Sequence, residues 1–269
     1  MTGEAKKAFI IAVAGKGGTG KTIITSLVLK LLTEQGRGRV LAIDADPATS
    51  LPSALGVRIQ KTIGDVREEI ASPSQVFFSE TMPTDMLIEY TLDEILVHTP
   101  RFSLLAMGRS EGPGCYCLIN DMLRHFIDKL SARFSTVLID CEAGLEHLSR
   151  RTTRDVDTLL VVSDPTKRGI ETARAIKILA EKLQINVRQI YLVVNKVTED
   201  EDVQNALPGL IADSGLTLIG VVPEDEQIRA YDLVGKPIIE LPDDSKAVIA
   251  VKEIFGKLYK IRLCREELI

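Results

Sequence analysis

Residues 15–22 read Gly-Lys-Gly-Gly-Thr-Gly-Lys-Thr, behind an apolar run, Ala8–Ala14, and ahead of an amphipathic stretch, Ile23–Leu32. A G-x-x-x-x-G-K-[ST] loop restricts a fold severely, because it works only between a strand and a helix. Gly15, Gly17, Gly18 and Gly20 leave backbone N–H groups free to ring a phosphate. Lys21 can set its charge on the β- and γ-phosphates, and the Thr22 hydroxyl can ligate Mg²⁺. A helix opening near Lys21 adds its positive end. The expectation is a nucleoside triphosphate held by residues Gly15, Lys16, Gly17, Gly18, Thr19, Gly20, Lys21 and Thr22.

Apolar runs of strand type recur at Ala8–Ala14, Val40–Ile43, Phe102–Ala106, Phe134–Ile139, Thr158–Val162, Ile190–Val194 and Leu216–Val222. Most are continuous rather than alternating, as parallel strands buried on both faces require. Helical patterns separate them at Ile23–Gln35, Leu118–Leu130, Gly169–Leu183, Asp202–Asp213 and Lys246–Tyr259. This alternation predicts an α/β fold, a doubly wound and mostly parallel sheet of seven strands. Residues 1–269 read as one domain, since no repeat or linker divides them. The segment 60–99 is long for a single crossover and predicts two helices and a loop. Its middle, Ala71–Pro83, carries Pro73, Pro83 and three serines, and is expected to be mobile.

Composition excludes several classes. Apolar residues make up 45% and charged residues 26%, the balance of a soluble globular chain. No apolar run nears the ~18 residues that span a bilayer. Residues Met1–Ala8 show no leader-like apolar core, so a cytoplasmic protein is expected, away from membranes. The net charge of −5 offers no general attraction for nucleic acid. Four cysteines in such a chain point to metal or redox chemistry rather than a disulfide framework.

Acids stand where strands end. Ile43-Asp44-Ala45-Asp46-Pro47 places two carboxylates one residue apart at the ligand end of the second strand, a pair suited to Mg²⁺ and water near a γ-phosphate. The plain alternative is that Asp44 or Asp46 caps the Ala48–Leu55 turn. Asp140 follows Val137-Leu138-Ile139 in the Walker B manner, holding Mg²⁺ through water, and Ala143-Gly144 then supplies a turn able to sense the γ-phosphate. Asn195-Lys196 closes the sixth strand, where an Asn amide can both donate to and accept from a purine. Pro223 faces it from the Val222-Pro223-Glu224 turn. Asn195-Lys196-Val197-Thr198 lacks the acid of a guanine-reading N-K-x-D, which favours ATP over GTP.

Lys16 is a second lysine within one phosphate loop. It is either a solvated surface cation or a group that reaches a phosphate across a dimer interface, like an arginine finger in trans. The G-K-G-G-x-G-K-T form resembles the deviant Walker A loop of the MinD/ParA/nitrogenase-iron-protein class. That resemblance implies a face-to-face dimer closed by nucleotide, with Lys16 on the partner's nucleotide. It also implies that Asp46 orients the attacking water and that the Asn195-Lys196 pair lies beside the base. Lys16, Lys21 and Asp46 are then the catalytic candidates, with Thr22, Asp44 and Asp140 around Mg²⁺.

The segment Gly112-Pro113-Gly114-Cys115-Tyr116-Cys117 stands just before the helix expected at Leu118. Cysteines at i and i+2 project to one side of an extended chain. A following helix N-terminus favours thiolates. Two thiolates are half of a four-sulfur metal site, though packed or redox-active thiols would read the same way. With residues 107–117, the run Asp140-Cys141-Glu142-Ala143-Gly144-Leu145-Glu146-His147-Leu148 and the phosphate loop, nearly the whole chain resembles the CooC-type ATPases. That resemblance implies ATP-dependent delivery of nickel to carbon monoxide dehydrogenase. It implies a homodimer sharing one Ni²⁺ or Zn²⁺ between the Cys115 and Cys117 pairs of both copies. The 60–99 insert allows a paralogue serving a related client such as acetyl-CoA synthase. Two rivals remain open: an electron-donating ATPase with an iron–sulfur cluster, and a spatial organiser like MinD or ParA whose amphipathic Lys246–Arg265 run lies on a membrane.

Overall fold

The structure is a computed structural model describing residues 8–36, 38–71, 84–109, 117–142, 156–183 and 185–266. Eight strands form one sheet: β1 (Phe9–Gly15), β2 (Val40–Ala45), β3 (Val97–His98), β4 (Ser103–Ala106), β5 (Thr136–Cys141), β6 (Val156–Ser163), β7 (Val187–Val197) and β8 (Thr217–Pro223). Their order is β3-β4-β2-β5-β1-β6-β7-β8. Every pairing is parallel except β3 with β4. The class is the doubly wound one expected, with eight strands rather than seven. The added strand, β3, is two residues long and antiparallel at the edge. A pair of residues has no period to read, which is why the sequence reading passed over it.

Alternate side chains of the central strands feed two cores. Phe9, Ile11 and Val13 of β1 pack with α1 (Lys21–Glu34) and α9 (Lys246–Glu266). Ile10, Ala12 and Ala14 face the other way, toward α5 (Cys117–Leu130), α6 (Lys167–Lys182) and α7 (Glu201–Ser214). Helices thus cover both sheet faces, as buried parallel strands need. On α9 the residues Val248, Val251, Ile254, Phe255 and Leu258 are all buried in the first core. The stripe that the organiser reading would lay on a membrane is spent within the fold.

Among the described residues, the insert holds α3 (Ile63–Ala71) and α4 (Thr84–Ile95). Ile63, Val66, Leu92 and Ile95 are buried in the second core, so the insert completes that layer. Lys61 ties the two helices together, bridging Glu69 at 2.5 Å and Glu94 at 2.6 Å. The stretch 72–83, where mobility was expected, lies outside the described residues. The sequence reading also missed α8 (Glu226–Leu233), a helix with no buried residue and hence no apolar stripe. It named only a turn where α2 (Leu51–Ala54) stands.

Candidate functional site

β1 lies between β5 and β6, at the point where the chain changes direction across the sheet. Open α/β sheets bind ligands at the carboxyl ends of strands beside such a switch. The phosphate loop leaves β1 there. Gly15 pairs in register with Val162, and a Cβ at Gly15 would collide with the Val162 carbonyl, so only glycine permits the approach. The loop closes on the Lys16 carbonyl, which accepts from the Thr19 amide at 3.3 Å, the Thr19 hydroxyl at 2.9 Å and Lys21 Nζ at 3.4 Å. Gly20 caps α1 in the left-handed region at φ 88°, bringing no side-chain acceptor. The first-turn N–H groups of α1 are therefore left to a ligand. Lys16 itself is exposed.

Beneath the loop, Thr22 Oγ1 donates to Asp140 Oδ2 at 2.7 Å, and Thr25 Oγ1 donates to Asp140 Oδ1 at 3.1 Å. Asp44 and Asp140 are register partners on β2 and β5, 0% and 1% exposed. Asp44 Oδ1 accepts from the Asp46 amide at 3.0 Å, and Oδ2 accepts from the Leu51 amide at 2.9 Å, at the start of α2. Asp44 thus also does the turn-holding work that was the plain alternative for it. Asp46 Oδ1 accepts from the Ala48 amide at 2.8 Å while its side chain stays half-buried. Burial pushes the Asp44 carboxyl up to about 7 against the pull of its two backbone donors. Burial likewise lifts Asp140 to about 6, opposed by the Thr22 and Thr25 hydroxyls and by Lys21.

Thr25 and Ser50 escaped the sequence reading. Thr25 stands one turn beyond Thr22 on the same face of α1, a Thr-x-x-Thr spacing that could have found it. The Ser50 hydroxyl meets that of Thr22 at 3.1 Å, and nothing in its sequence setting marks it.

Thr22, Asp44 and Asp140 offer hard oxygen donors, and the two acids are buried together, which fits Mg²⁺ beside a triphosphate. At the end of β7, Asn195 Nδ2 donates to the Thr19 carbonyl at 2.8 Å and Lys196 Nζ to the Gly18 carbonyl at 2.9 Å. Beyond them opens a cavity of about 750 Å³, walled by Val197, Thr198, Pro223, Glu224, Asp225 and Arg229 among others.

The cysteines are reached only in part. Cys115, Ala143, Gly144 and His147 lie outside the described residues, and Cys117 is the first residue of α5. Among the described residues, no group of three or more His, Cys, Asp or Glu is arranged to hold a metal ion. Cys141 is fully buried in the core on the sheet face opposite Asp140, and burial pushes its thiol well above the usual range.

Fold and site together define a P-loop nucleotide-binding protein. The CobQ/CobB/MinD/ParA nucleotide binding domain matches residues 10–238, and the chain belongs to that family. It is 44% identical to an uncharacterized ATP-binding protein of Methanocaldococcus jannaschii, over 93% of this chain and 98% of that one. It is 36% identical to the carbon monoxide dehydrogenase accessory protein CooC of Rhodospirillum rubrum, over 86% of this chain and 89% of that one. Among solved structures, the cell division ATPase MinD of Pyrococcus furiosus has a TM-score of 0.70, covering 94% of this chain and 99% of that one. Its identity, 24%, makes this a likeness of fold alone. No helix among the described residues is long and apolar enough to cross a membrane.

Proposed function

We propose that this protein is an ATP-hydrolysing metallochaperone, closed into a homodimer by nucleotide, that carries Ni²⁺ or Zn²⁺ for a nickel enzyme, carbon monoxide dehydrogenase or acetyl-CoA synthase. The observation that carries the client half is the 36% identity to a carbon monoxide dehydrogenase accessory protein across most of both chains. The phosphate loop and the paired acids beneath it support the ATPase half.

Gly15–Thr22 would cradle the phosphates, with Lys21 on the β- and γ-phosphates. Thr22, Asp44 and Asp140 would hold Mg²⁺, which when bound offsets the charge of the phosphate oxygens. Asp46, half-buried at the rim and tethered by one carboxylate oxygen, keeps the other to orient an attacking water. Lys16, exposed on the loop, is free to reach the nucleotide of a second copy. The base would enter the cavity beside Pro223. Cys115 and Cys117 of two copies would supply four thiolates to one metal ion. Their sequence follows β4, beside β2 and its Asp44, and runs directly into α5. Because metal and nucleotide favour the same dimer, each must tighten the other.

Anaerobic equilibrium dialysis against Ni²⁺, with and without ATP, tests the reading. Tighter nickel binding with ATP, lost in Cys115→Ala and Cys117→Ala, is expected. Nickel affinity unchanged by either substitution would exclude the site.

A further inference from the structure

Asp140 ends β5 beneath the phosphate loop, and α1 brings a hydroxyl to each of its oxygens. Thr22 Oγ1 donates to Oδ2 at 2.7 Å, and Thr25 Oγ1 donates to Oδ1 at 3.1 Å. Three residues apart on a helix, the two threonines share one face. Thr22 belongs to the loop motif. Thr25 does not, and it is fully buried one turn further along α1. Its Oγ1 also lies 2.9 Å from the Lys21 carbonyl oxygen. A hydroxyl has one proton, so the two acceptors compete for it, and an ionised carboxylate is the stronger of them.

A carboxylate turns about a broad two-fold torsion, so a single hydrogen bond leaves its plane loose. Asp140 also has a second acid beside it, since Asp44 is its register partner on β2. Like charges at that separation push one another aside. Among the described residues, Thr25 is the one donor to Oδ1. It therefore fixes the plane that Thr22 alone would leave free, and it keeps Oδ2 with Thr22 at the loop end of α1.

We infer that Thr25 is a positioning residue for the Mg²⁺ site, holding the Asp140 carboxylate through Oδ1 in the orientation that receives the cation. This rests on the nucleotide and Mg²⁺ reading above and adds to it a residue outside the loop motif. Thr25 acts through Asp140, so its effect requires both the cation and that carboxylate.

The test measures the affinity of a fluorescent, non-hydrolysable ATP analogue in EDTA and across a Mg²⁺ titration, for wild type, Thr25→Val, Thr25→Ala and Thr25→Ser. Val keeps the branched shape, Ala stands in should the buried Val not fold, and Ser keeps the hydroxyl. In the Val and Ala variants the Mg²⁺ concentration at half effect is expected to rise about tenfold, the scale of one hydrogen bond to a charged group. Affinity in EDTA is expected to stay within about twofold of wild type. Ser is expected to restore the wild-type response. In an Asp140→Asn background, Thr25→Val is expected to add no further loss. An unchanged Mg²⁺ response in the hydroxyl-free variants would overturn the inference. So would an equal loss in EDTA, which would place the effect on the Lys21 carbonyl and the loop, a failure of Ser to restore, or a further loss on top of Asp140→Asn. A wild type that binds the analogue without any response to Mg²⁺ would overturn the Mg²⁺ reading, and one that does not bind it would overturn the nucleotide reading, the inference falling with either.

Discussion

Asp44 and Asp140 stand directly across from one another on the adjacent parallel strands β2 and β5, so two buried carboxylates end side by side under the phosphate loop. No described basic side chain is hydrogen-bonded to either one; hydroxyls and backbone amides serve them. A protein gains nothing in stability from such a pair. The use we propose for it is to receive a divalent cation.

The cost is readable as pH dependence. Both acids are raised by burial, Asp44 to about 7 and Asp140 to about 6, from 3.8. In the unfolded chain they ionise first, so the nucleotide-free protein is most stable below about pH 4 with respect to these groups. That contribution is lost as the pH climbs through the two native values, between about 4 and 7. Asp140→Asn removes one share of the penalty. At pH 8 without Mg²⁺ it is expected to be about 2–3 kcal/mol more stable than wild type in urea, while losing Mg²⁺-dependent hydrolysis. A destabilised variant would contradict this.

Lys16→Ala separates hydrolysis from nucleotide binding. The side chain is exposed and contributes nothing to the core. Turnover is expected to fall by about 10³-fold, the scale of a charge supplied in trans, with monomer affinity for ADP little changed. Parallel turnover and calorimetry check this; an equal loss in both would place Lys16 on its own nucleotide.

Gly20→Ala should act on both stability and binding. The residue holds φ 88°, and the added Cβ would strike the Asn195 amide. A loss of about 1–3 kcal/mol in urea unfolding is expected, together with weakened ATP binding. Full stability and affinity would show that the loop tolerates a side chain there.

Much of this site was legible because its parts obey local rules. The glycine spacing announces the loop, and an acid after three apolar residues announces the end of β5 that lies beneath it. Continuous apolar runs announce buried parallel strands. What escaped depends on three-dimensional placement. β3 is too short to have a period, and α8 buries nothing, so neither leaves an apolar pattern. The hydrogen bonds of Asn195 and Lys196 to the Thr19 and Gly18 carbonyls depend on the bulge at the end of β7, which leaves no mark in the sequence. Thr25 was visible in its spacing from Thr22, yet its role appears only once α1 lies against Asp140.

The cysteine pair offers a separate check. Cys115→Ala and Cys117→Ala are each expected to abolish stoichiometric Ni²⁺ binding while leaving ATP affinity within about twofold of wild type, because neither residue belongs to the phosphate loop. Calorimetric titration with each ligand tests it. Concurrent loss of ATP binding would mean that the substitutions disturb the fold rather than a metal site.

The most direct measurement is the mass and metal content of the protein under anaerobic conditions, by light scattering and metal analysis, with Ni²⁺ and with or without ATP. A dimer holding one nickel ion per two chains in the presence of ATP is the expected result. A monomer carrying its own metal, or a dimer carrying none, would contradict a shared four-thiolate site closed by nucleotide.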